Sequence, residues 1–474
     1  GVDRPTDPIR LARAEKKERL SRARTCGVAA TLKRTNKGDA MSVHETAETE
    51  QATDLQTELS SVASTAAVGR LLDESHLICI DMGGTSFDVG LVVDGVPDVT
   101  TETNLEGFPV LMPIVNIHSI GAGGGSIAWL EAGGLRVGPQ SAGSEPGPAC
   151  YGRGGTEPTV TDANVVLGRV DPDYFAGGDY RLDLNSARQA VAHVAKQLDL
   201  DLDQLAEGII DIVNANMANA IRAITVGKGI DPRDFALVAF GGAGPMHAVA
   251  LAKELQIPRI IVPNLPGTFS AWGMLQTDIR HDLVRTFYRR VNETEVLALE
   301  QEYKDMEQVG ANLLVDEKVD ATEMGFVRTA DMRYVGQEYF VNIPLPGRIE
   351  GQVLADLPGR FHQAYLDRYG HSNPEEAIEF VNLRVSAIGT LPKGQVSAAE
   401  RDAKMMEAEP LRQNRAYFGG AWLDANVFMR ERLLPGQNFA GPAIVLEPSC
   451  TTVMPPGCRA ELDAFGNIEI VVEL

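Results

Sequence analysis

A short segment that joins an acidic residue to two glycines and two hydroxyls is the first part of this chain that could do chemistry. Its residues are, in order, Asp81, Met82, Gly83, Gly84, Thr85, Ser86, Phe87 and Asp88. Backbone N–H groups at paired glycines can surround a phosphate, and the two hydroxyls add donors. Carboxylate oxygens are ligands that Mg²⁺ takes, so Asp81 or Asp88 would hold the cation through water. We therefore predict a phosphate loop, with an ordinary glycine-turned hairpin as the alternative.

A second glycine segment, Gly241-Gly-Ala-Gly244, stands between an apolar run and a helix that begins with Pro245. Gly241, Gly242 and Gly244 would let the backbone approach a nucleotide, and the N-terminus of the helix would favour an anion. Close packing of a strand on a helix requires the same residues, so this motif alone is weak evidence. Two glycine loops at strand ends are, however, what a nucleotide cleft requires.

The predictions for catalysis fall on His118 and Asp162. His118 could act as a metal ligand or as an acid or base near neutral pH, or it could donate to a backbone carbonyl at a strand end. Asp162 would need a metal, His118 or a helix N-terminus as its partner, and capping of the helix that it begins is the simpler interpretation. Cys150 has no activating base nearby in the sequence, so a nucleophile there has little support.

Alternating strands and helices must position these residues. Apolar runs at 77–81 and 235–240 predict buried strands that lead into the two glycine segments. Residues 86–93 predict a further strand, followed by a hairpin turn at Asp94-Gly95. Two helices are predicted from apolar residues at helical spacing, namely Ala187, Val191, Val194 and Leu198, and then Leu205, Ile209, Ile212, Asn216 and Ala220. This order is typical of an α/β layer structure, and a change of pattern near 285–295 predicts a domain boundary.

Composition and charge exclude several classes of protein. The 474 residues are 44% apolar and 23% charged, as in globular proteins. Residues 1–40 carry eleven Lys/Arg against five Asp/Glu, a net of +6, so residues 41–474 carry −28 of the total of −22. An acidic body repels phosphates, so we expect neither nucleic acid nor a membrane surface as a partner. No secretory signal or membrane span is evident, and the five cysteines form no C-x-x-C pair, so we predict a cytoplasmic protein with reduced thiols.

The first sixty residues differ from the rest of the chain. Residues 1–40 mix Lys and Arg with small residues, and a polar run follows as far as about Ser61. We predict a solvated helix and a flexible tail with little to bury. The chain opens with Gly1 and its composition changes at Met41, so residues 1–40 are either a native basic tail or not native coding sequence. The sequence leaves both possibilities open.

Together the motifs resemble the actin/Hsp70/sugar-kinase type of ATPase and, within it, the hydantoinase A and 5-oxoprolinase family. The similarity runs from about Ala66 to Leu474. It rests on five segments, which are 80–89 (IDMGGTSFDV), 118–126 (HSIGAGGGS), 141–164 (SAGSEPGPACYGRGGTEPTVTDAN), 240–247 (FGGAGPMH) and 278–282 (DIRHD). The long middle segment is far more specific than either glycine loop.

The resemblance implies a fold, a domain order and cofactors. We expect an α/β protein in which an actin/Hsp70-like (RNase H-like) ATPase half is followed by a C-terminal α+β domain. The expected domains are an extension at 1–65 that is flexible, the ATPase half at 66–288 and the C-terminal domain at 289–474. ATP and Mg²⁺ or another divalent cation are the expected cofactors. The expected nucleotide-binding residues are Asp81, Gly83, Gly84, Thr85, Ser86, Gly241, Gly242 and Gly244, with Asp81 and Asp88 at the metal and His118 and Asp162 as catalytic residues.

The implied activity is ATP-dependent hydrolytic opening of a small cyclic amide, such as 5-oxoproline or a hydantoin, after its carbonyl oxygen is phosphorylated. A ketone carboxylase subunit and a non-catalytic assembly subunit are the alternatives. Family members carry a further half-domain before the Asp81 motif, and their glycine-rich approach is replaced here by residues 60–67 (SSVASTAA). We therefore expect this chain alone to be incomplete as a catalyst, and its partners to be further copies or a hydantoinase B-like subunit.

Overall fold

The structure is a computed structural model, and it describes residues 60–100, 103–105, 108–110, 114–394, 396–399 and 406–473. The basic opening at residues 1–40 lies outside the described residues. Residues 60–65, which the sequence assigned to a flexible extension, are instead helical. Ser60, Ser61, Ser64 and Thr65 are buried there. The ordered body therefore begins earlier than residue 66.

The α-helices within the described residues are α1 (60–72), α2 (Val160–Val166), α3 (Leu184–Leu198), α4 (Leu202–Ile224), α5 (Gly244–Leu255), α6 (Phe269–Met274), α7 (Val296–Asp316) and α8 (Gly351–Tyr369). The apolar spacing that predicted α3 and α4 is confirmed, since Ala187, Val191, Leu205 and Ile209 are buried on these helices. Among these helices, none has the length and apolar character needed to cross a membrane.

The first twelve strands are β1 (Leu77–Met82), β2 (Phe87–Val93), β3 (Val96–Pro97), β4 (Val99–Thr100), β5 (Thr103–Leu105), β6 (Phe108–Val110), β7 (Ile114–Val115), β8 (Ile117–Ile120), β9 (Ser126–Glu131), β10 (Gly134–Ser141), β11 (Ala236–Phe240) and β12 (Arg259–Val262). Those that follow are β13 (Ile279–Arg290), β14 (Met324–Tyr334), β15 (Val341–Leu345), β16 (Ile378–Gly389), β17 (Met406–Glu407), β18 (Arg412–Phe418), β19 (Ala421–Met429), β20 (Gln437–Ala440), β21 (Ala443–Glu447), β22 (Cys450–Met454), β23 (Cys458–Leu462) and β24 (Ile468–Val472).

The central sheet carries the two glycine segments at the ends of neighbouring strands. Its strand order is β17-β20-β23-β24-β12-β11-β1-β2-β3, with β8 also paired to β2. β1 is parallel to β11 and antiparallel to β2. The hairpin turn predicted between β2 and β3 is confirmed, because Asp94 and Gly95 both have positive φ and Val93 pairs with Val96. The predicted α/β organisation is thus confirmed in this sheet.

The alternation of side chains along β1 divides the core into two layers. Ile78, Ile80 and Met82 join the large core cluster that helices α3, α4 and α5 cover. Leu77 and Cys79 point to the other face, against α1 and α6. Neighbouring residues of a strand project to opposite faces of a sheet, so Asp81 belongs to the face of α1 and α6.

The C-terminal part of the chain contributes strands to more than one sheet, and the predicted domain bounds of 66–288 and 289–474 stay predictions. β13 begins at Ile279 and pairs with β16 in a four-stranded sheet of order β13-β16-β14-β15, so this sheet starts before residue 289. Helices α7 and α8 pack on that sheet around Tyr303 and Phe361. Strands β20, β23 and β24 then return to the central sheet, where β24 pairs with β12. The end of the chain therefore completes the first sheet.

Candidate functional site

The segment from Gly83 to Ser86 forms a tight exposed loop between β1 and β2. The N–H of Gly83 donates to the carbonyl of Ser86 over 3.2 Å, which closes the turn. The N–H groups of Gly84 and Thr85 donate to no acceptor among the described residues, and both residues are exposed. Adjacent free N–H groups in a turn form a concavity for an anion. The loop therefore has the donors that the phosphate prediction requires.

A glycine run at 121–125 holds this loop in place from behind. Gly124 donates to the carbonyl of Gly83 over 3.0 Å, and Gly125 donates to that of Gly84 over 2.7 Å. A Cβ atom on Gly123 would lie 2.5 Å from the backbone of Gly84 and Thr85, closer than real Cβ contacts allow. Glycine at 123 and 125 thus allows the backbone of this run to lie close to the backbone of the loop. The carbonyl groups of Gly83 and Gly84 accept hydrogen bonds from the run, whereas the N–H groups of Gly84 and Thr85 remain without an acceptor among the described residues.

The second glycine segment docks on the end of β1. The N–H of Ala243 donates to the carbonyl of Met82 over 2.8 Å, and Gly241 donates to Pro266 over 3.0 Å. Gly241 has a φ of +80°, and its missing Cβ leaves room for the Asp81 carboxylate and the Met82 backbone. Helix α5 then begins at Gly244, followed by Pro245, and no side chain caps it. An uncapped helix N-terminus is a further anion site, and it borders the first loop.

Asp81 is held by two hydroxyls from distant parts of the chain. Ser61 of α1 donates to Asp81 Oδ2 over 3.0 Å, and Ser270 of α6 donates to the same oxygen over 2.7 Å. Burial raises the pKa of Asp81, and the Ser270 and Ser61 hydroxyls lower it in part. Neither serine was recognised from the sequence as a site residue, since their link to Asp81 spans 20 and 189 positions.

Asp88 lies directly across from Asp81 on the neighbouring strand. It accepts hydrogen bonds from Ser86 over 3.3 Å and from Ser119. Residues paired across antiparallel strands share a face of the sheet, so both carboxylates lie on the same side.

Carboxylate and hydroxyl oxygens suit a hard cation, which commonly takes one or two carboxylates plus phosphate oxygens and water. No cluster of three or more His, Cys, Asp or Glu side chains within the described part of the chain is placed to hold a metal. Asp81 and Asp88 supply two carboxylates on one face of the sheet, which is the donor chemistry that Mg²⁺ takes, and their assignment as metal ligands stays a prediction.

His118 does not join the two carboxylates. On β8 it pairs with Val89, whereas its neighbour Ser119 pairs with Asp88. His118 thus projects from the opposite face of the sheet to Asp88, and its ring makes no hydrogen bond to a described residue. The catalytic assignment of His118 gains no support from this placement and stays a prediction.

Asp162 is enclosed by backbone donors. Its carboxylate accepts from the N–H groups of Ala149, Cys150 and Thr159 over 3.1, 2.7 and 2.9 Å, and from the Thr159 hydroxyl over 2.8 Å. Thr159 and Asp162 form a capping box at the start of α2, and Asp162 is fully buried. Asp162 therefore caps the helix that it begins, as the simpler interpretation of the sequence predicted. Burial raises the pKa of the Cys150 thiol well above its ordinary value, which disfavours a thiolate.

A cleft of about 240 Å³ opens beside the two glycine loops. Gly83, Gly84 and Gly242 form one end of it, and Thr161 borders them. The wall also includes Tyr151, Val170, Asp171, Tyr174, Phe175, Ala176, Met246, Leu446, Glu447, Pro448, Ser449, Cys450 and Thr451. Tyr151 and Met246 belong to two of the segments quoted in the sequence analysis, but none of these residues was predicted as a site residue, and the others belong to no motif.

The sequence of this chain is similar to that of known proteins along most of its length. The family model for Hydantoinase/oxoprolinase matches residues 31–283, and the model for the Hydantoinase/oxoprolinase C-terminal domain matches residues 288–470. The chain is 34% identical to caprolactamase subunit alpha of Pseudomonas jessenii, over 83% of this chain and 58% of that subunit. It is 34% identical to 5-oxoprolinase 1 of Arabidopsis thaliana, over 84% of this chain and 32% of that protein.

A solved structure is similar over the same range. The nucleotide-free structure of acetone carboxylase, described as an enzyme of ATP-dependent acetone carboxylation, superimposes with a TM-score of 0.76 and 25% identity. The match covers 87% of this chain and 61% of the other. The chain therefore spans less than two thirds of the length of the relatives that it matches.

Proposed function

We propose, because this chain belongs to the hydantoinase/oxoprolinase family, that it supplies one wall of an ATP site used to open a small cyclic amide. The family that the five sequence segments indicated is confirmed by both family models. The expected fold class, an α/β ATPase of the actin-like kind followed by a C-terminal α+β part, is confirmed by the similarity to the acetone carboxylase structure.

One observation carries the proposal. The loop with the free N–H groups of Gly84 and Thr85 lines the cleft through Gly83 and Gly84, and Gly242 and Ala243, which precede the uncapped N-terminus of α5, line it beside them. Asp81 is outside this lining and lies next to Gly241 near the end of β1. Two anion-binding backbones that converge beside a carboxylate are suited to a polyphosphate and its cation. ATP is the polyphosphate that the family uses, and Asp81 and Asp88 are the residues that would hold Mg²⁺, which would neutralise phosphate charge there.

The chemistry follows from the stability of the amide bond. Resonance makes the carbonyl carbon of a cyclic amide a poor electrophile. Transfer of a phosphoryl group to the carbonyl oxygen turns that oxygen into a leaving group and activates the carbon toward water. Positioning and charge stabilisation dominate phosphoryl transfer, and the loop at 83–86 and the N-terminus of α5 would provide both. 5-Oxoproline, a hydantoin or a larger lactam would be the substrate.

A ketone carboxylase subunit is the second candidate function, and the superposition on acetone carboxylase favours it. Phosphorylation of a ketone yields an enol phosphate, so the same cleft would serve either reaction. We propose further that the chain works in the cytoplasm with a hydantoinase B-like subunit or with copies of itself. The buried unpaired thiols of Cys79, Cys150, Cys450 and Cys458 suit a reducing compartment.

Isothermal titration calorimetry of the full chain with ADP and Mg²⁺ tests the nucleotide site directly. We expect saturable binding that weakens strongly when EDTA replaces Mg²⁺, because the cation offsets charge between the diphosphate and Asp81. Absence of binding at millimolar nucleotide would refute the site in this chain. With the partner subunits present, ATP hydrolysis stimulated by 5-oxoproline or hydantoin, against acetone or acetophenone with bicarbonate, separates the two candidate functions.

Replacing Ser270 by alanine should make Mg²⁺-dependent ADP binding more sensitive to acid. Burial raises the pKa of Asp81 above its ordinary value, and the Ser270 hydroxyl opposes that shift. Asp81 is ionised above its pKa, so Mg²⁺ affinity is full at higher pH and is lost as the pH falls through that value. Without Ser270 the pKa rises further, and the loss begins at a higher pH.

Affinity for ADP and Mg²⁺, measured by calorimetry over a pH series, checks this expectation. Ser75→Ala is the matched control, since Ser75 is an exposed serine whose hydroxyl contacts only the neighbouring His76 ring. Superimposable pH profiles for wild type and Ser270→Ala would exclude Asp81 as the titrating group.

A further inference from the structure

Glu447 differs from the other buried carboxylates in the part of the chain that the structure describes. Asp162, Asp331 and Asp463 are at most 3% exposed, and Glu447 is 5% exposed. Asp162 has the four donors described above. Asp331 accepts hydrogen bonds from the side chains of Asn342, Asn382 and Arg384. Asp463 accepts from the backbone N–H groups of Phe465 and Asn467 and from the side-chain amide of Asn467. The carboxyl group of Glu447 hydrogen-bonds to no described residue, and its Oε1 is buried without a partner.

An unpartnered buried carboxyl group costs free energy, so its presence needs a reason other than stability. Two other side-chain atoms, Arg430 Nη1 and Thr452 Oγ1, are also buried without a hydrogen-bond partner among the described residues. Arg430 is close enough to influence Glu447 but forms no ion pair with it, and Cys450 lies opposite Glu447 on β22. The fold therefore buries the Glu447 carboxyl group, but no described residue donates a hydrogen bond to it.

The position of Glu447 connects it to the glycine loops. It ends β21 and is joined to Cys450 by the turn of Pro448 and Ser449. That turn approaches the second glycine segment, because a Cβ on Gly242 would lie 3.5 Å from the Ser449 carbonyl. Glu447 lines the same cleft as Gly83 and Gly84. A carboxyl group without a structural partner thus borders the place where a phosphoryl group would be transferred.

We propose that Glu447 is the general base that accepts the ring N–H proton while the carbonyl oxygen of the cyclic amide is phosphorylated. The inference rests on the function proposed above and names the residue that this function needs. The carbonyl oxygen forms a bond to the γ-phosphorus of ATP, and the bond from that phosphorus to the bridging oxygen breaks with its electron pair going to ADP. The N–H proton passes to the Glu447 carboxylate, and its electron pair forms the C=N bond of the imidate phosphate.

The surroundings of Glu447 suit a base of this kind. A base works best when its pKa lies close to the working pH. Burial raises the pKa of Glu447, and the positive charge of Arg430 opposes that rise in part. Several other titratable groups among the described residues surround this part of the cleft. They include Tyr174, Glu431, the wall residues Tyr151 and Asp171, Asp463, which is near Arg430, and Cys450, whose thiol has a pKa raised by burial. The same carboxylate would take a proton from the α-carbon of a ketone.

Single-turnover phosphoryl transfer from γ-labelled ATP tests the proposal in the full chain assembled with its partner subunits, with a cyclic amide that stimulates the wild type. Glu447→Gln should slow transfer by about 100-fold or more, the usual contribution of a general base. Its affinity for ADP and Mg²⁺ should stay unchanged, which also shows that the variant is folded. Glu447→Asp should recover part of the rate. Glu375→Gln is the matched control, because Glu375 is an exposed glutamate that does not line the cleft.

A second readout does not depend on turnover. In protein labelled with ¹³C at glutamate carboxyl groups, one resonance should titrate above the ordinary glutamate value, vanish in Glu447→Gln and move when the cyclic amide is added. Unchanged transfer in Glu447→Gln would overturn the assignment while leaving the proposed function intact. A wild type that binds no nucleotide would overturn the proposed function and the inference with it.

Discussion

Replacement of Gly241 by alanine is expected to reduce ADP–Mg²⁺ affinity by about 100-fold or more, equivalent to about 2.7 kcal/mol. The new Cβ would lie 2.5 Å from the Met82 carbonyl oxygen, 2.8 Å from the Met82 N–H and closer still to Asp81 Oδ1. Two of these atoms are backbone, so they cannot move aside without displacing the end of β1. Asp81 and the loop at 83–86 would shift together, and the donors for phosphate would lose their alignment. Calorimetric titration with ADP and Mg²⁺ measures the loss.

Gly229→Ala is the control that separates two effects of Gly241→Ala, namely the strain of an alanine at positive φ and the steric clash of its Cβ with Asp81 and Met82. Gly229 has a φ of +77°, close to the +80° of Gly241, but a Cβ there would meet nothing within 4 Å. A left-handed alanine costs about 1 to 2 kcal/mol of folding free energy at either position. Gly229→Ala should therefore lower the melting temperature slightly and leave nucleotide affinity unchanged. Equal effects of the two variants on affinity would mean that the contact with Asp81 and Met82 is unimportant.

The parts of the site that could be predicted from the sequence are those whose signal is local. The loop at 83–86 and the segment from Gly241 combine a strand, a glycine turn and a helix start within a few residues, so their backbone geometry follows from neighbouring residues. The hairpin turn at Asp94-Gly95 is of the same type. The capping box of Thr159 and Asp162 is also local, since its partners are three residues apart.

The parts that could not be predicted depend on contacts between distant segments. Ser61 and Ser270 meet at Asp81 only because α1 and α6 pack closely, where a Cβ on Gly273 would strike Ser60 and Ser64. Glu447 enters the cleft because the strands near the C-terminus return to the central sheet. Strand pairing in a sheet is decided by burial across long loops, and a single sequence carries little information on it. The pairing of β24 with β12 is such a contact, and no pattern in the sequence indicates it.

Loss of stability is the main expected result of replacing Asp162 by alanine. Three buried backbone N–H groups would lose their acceptor, and each unsatisfied donor costs about 1 to 3 kcal/mol. The free energy of unfolding, measured with urea, should therefore fall by about 3 kcal/mol or more. The isosteric Asp162→Asn should lose less, because one oxygen remains as an acceptor. A purely catalytic Asp162 would give the opposite pattern, with stability retained and phosphoryl transfer lost in Asp162→Asn.

Asp183→Asn is the control for this last prediction. Asp183 caps α3 in the same way, by accepting from the N–H groups of Asn185 and Ser186, but it is exposed. Water can solvate the donors that an exposed cap releases, whereas the groups around Asp162 are sealed from solvent. Asp183→Asn should therefore destabilise the protein much less than Asp162→Ala. If the two variants lost similar amounts of unfolding free energy, burial of Asp162 would not determine its role. The prediction that Asp162 is a catalytic residue would then be the better interpretation.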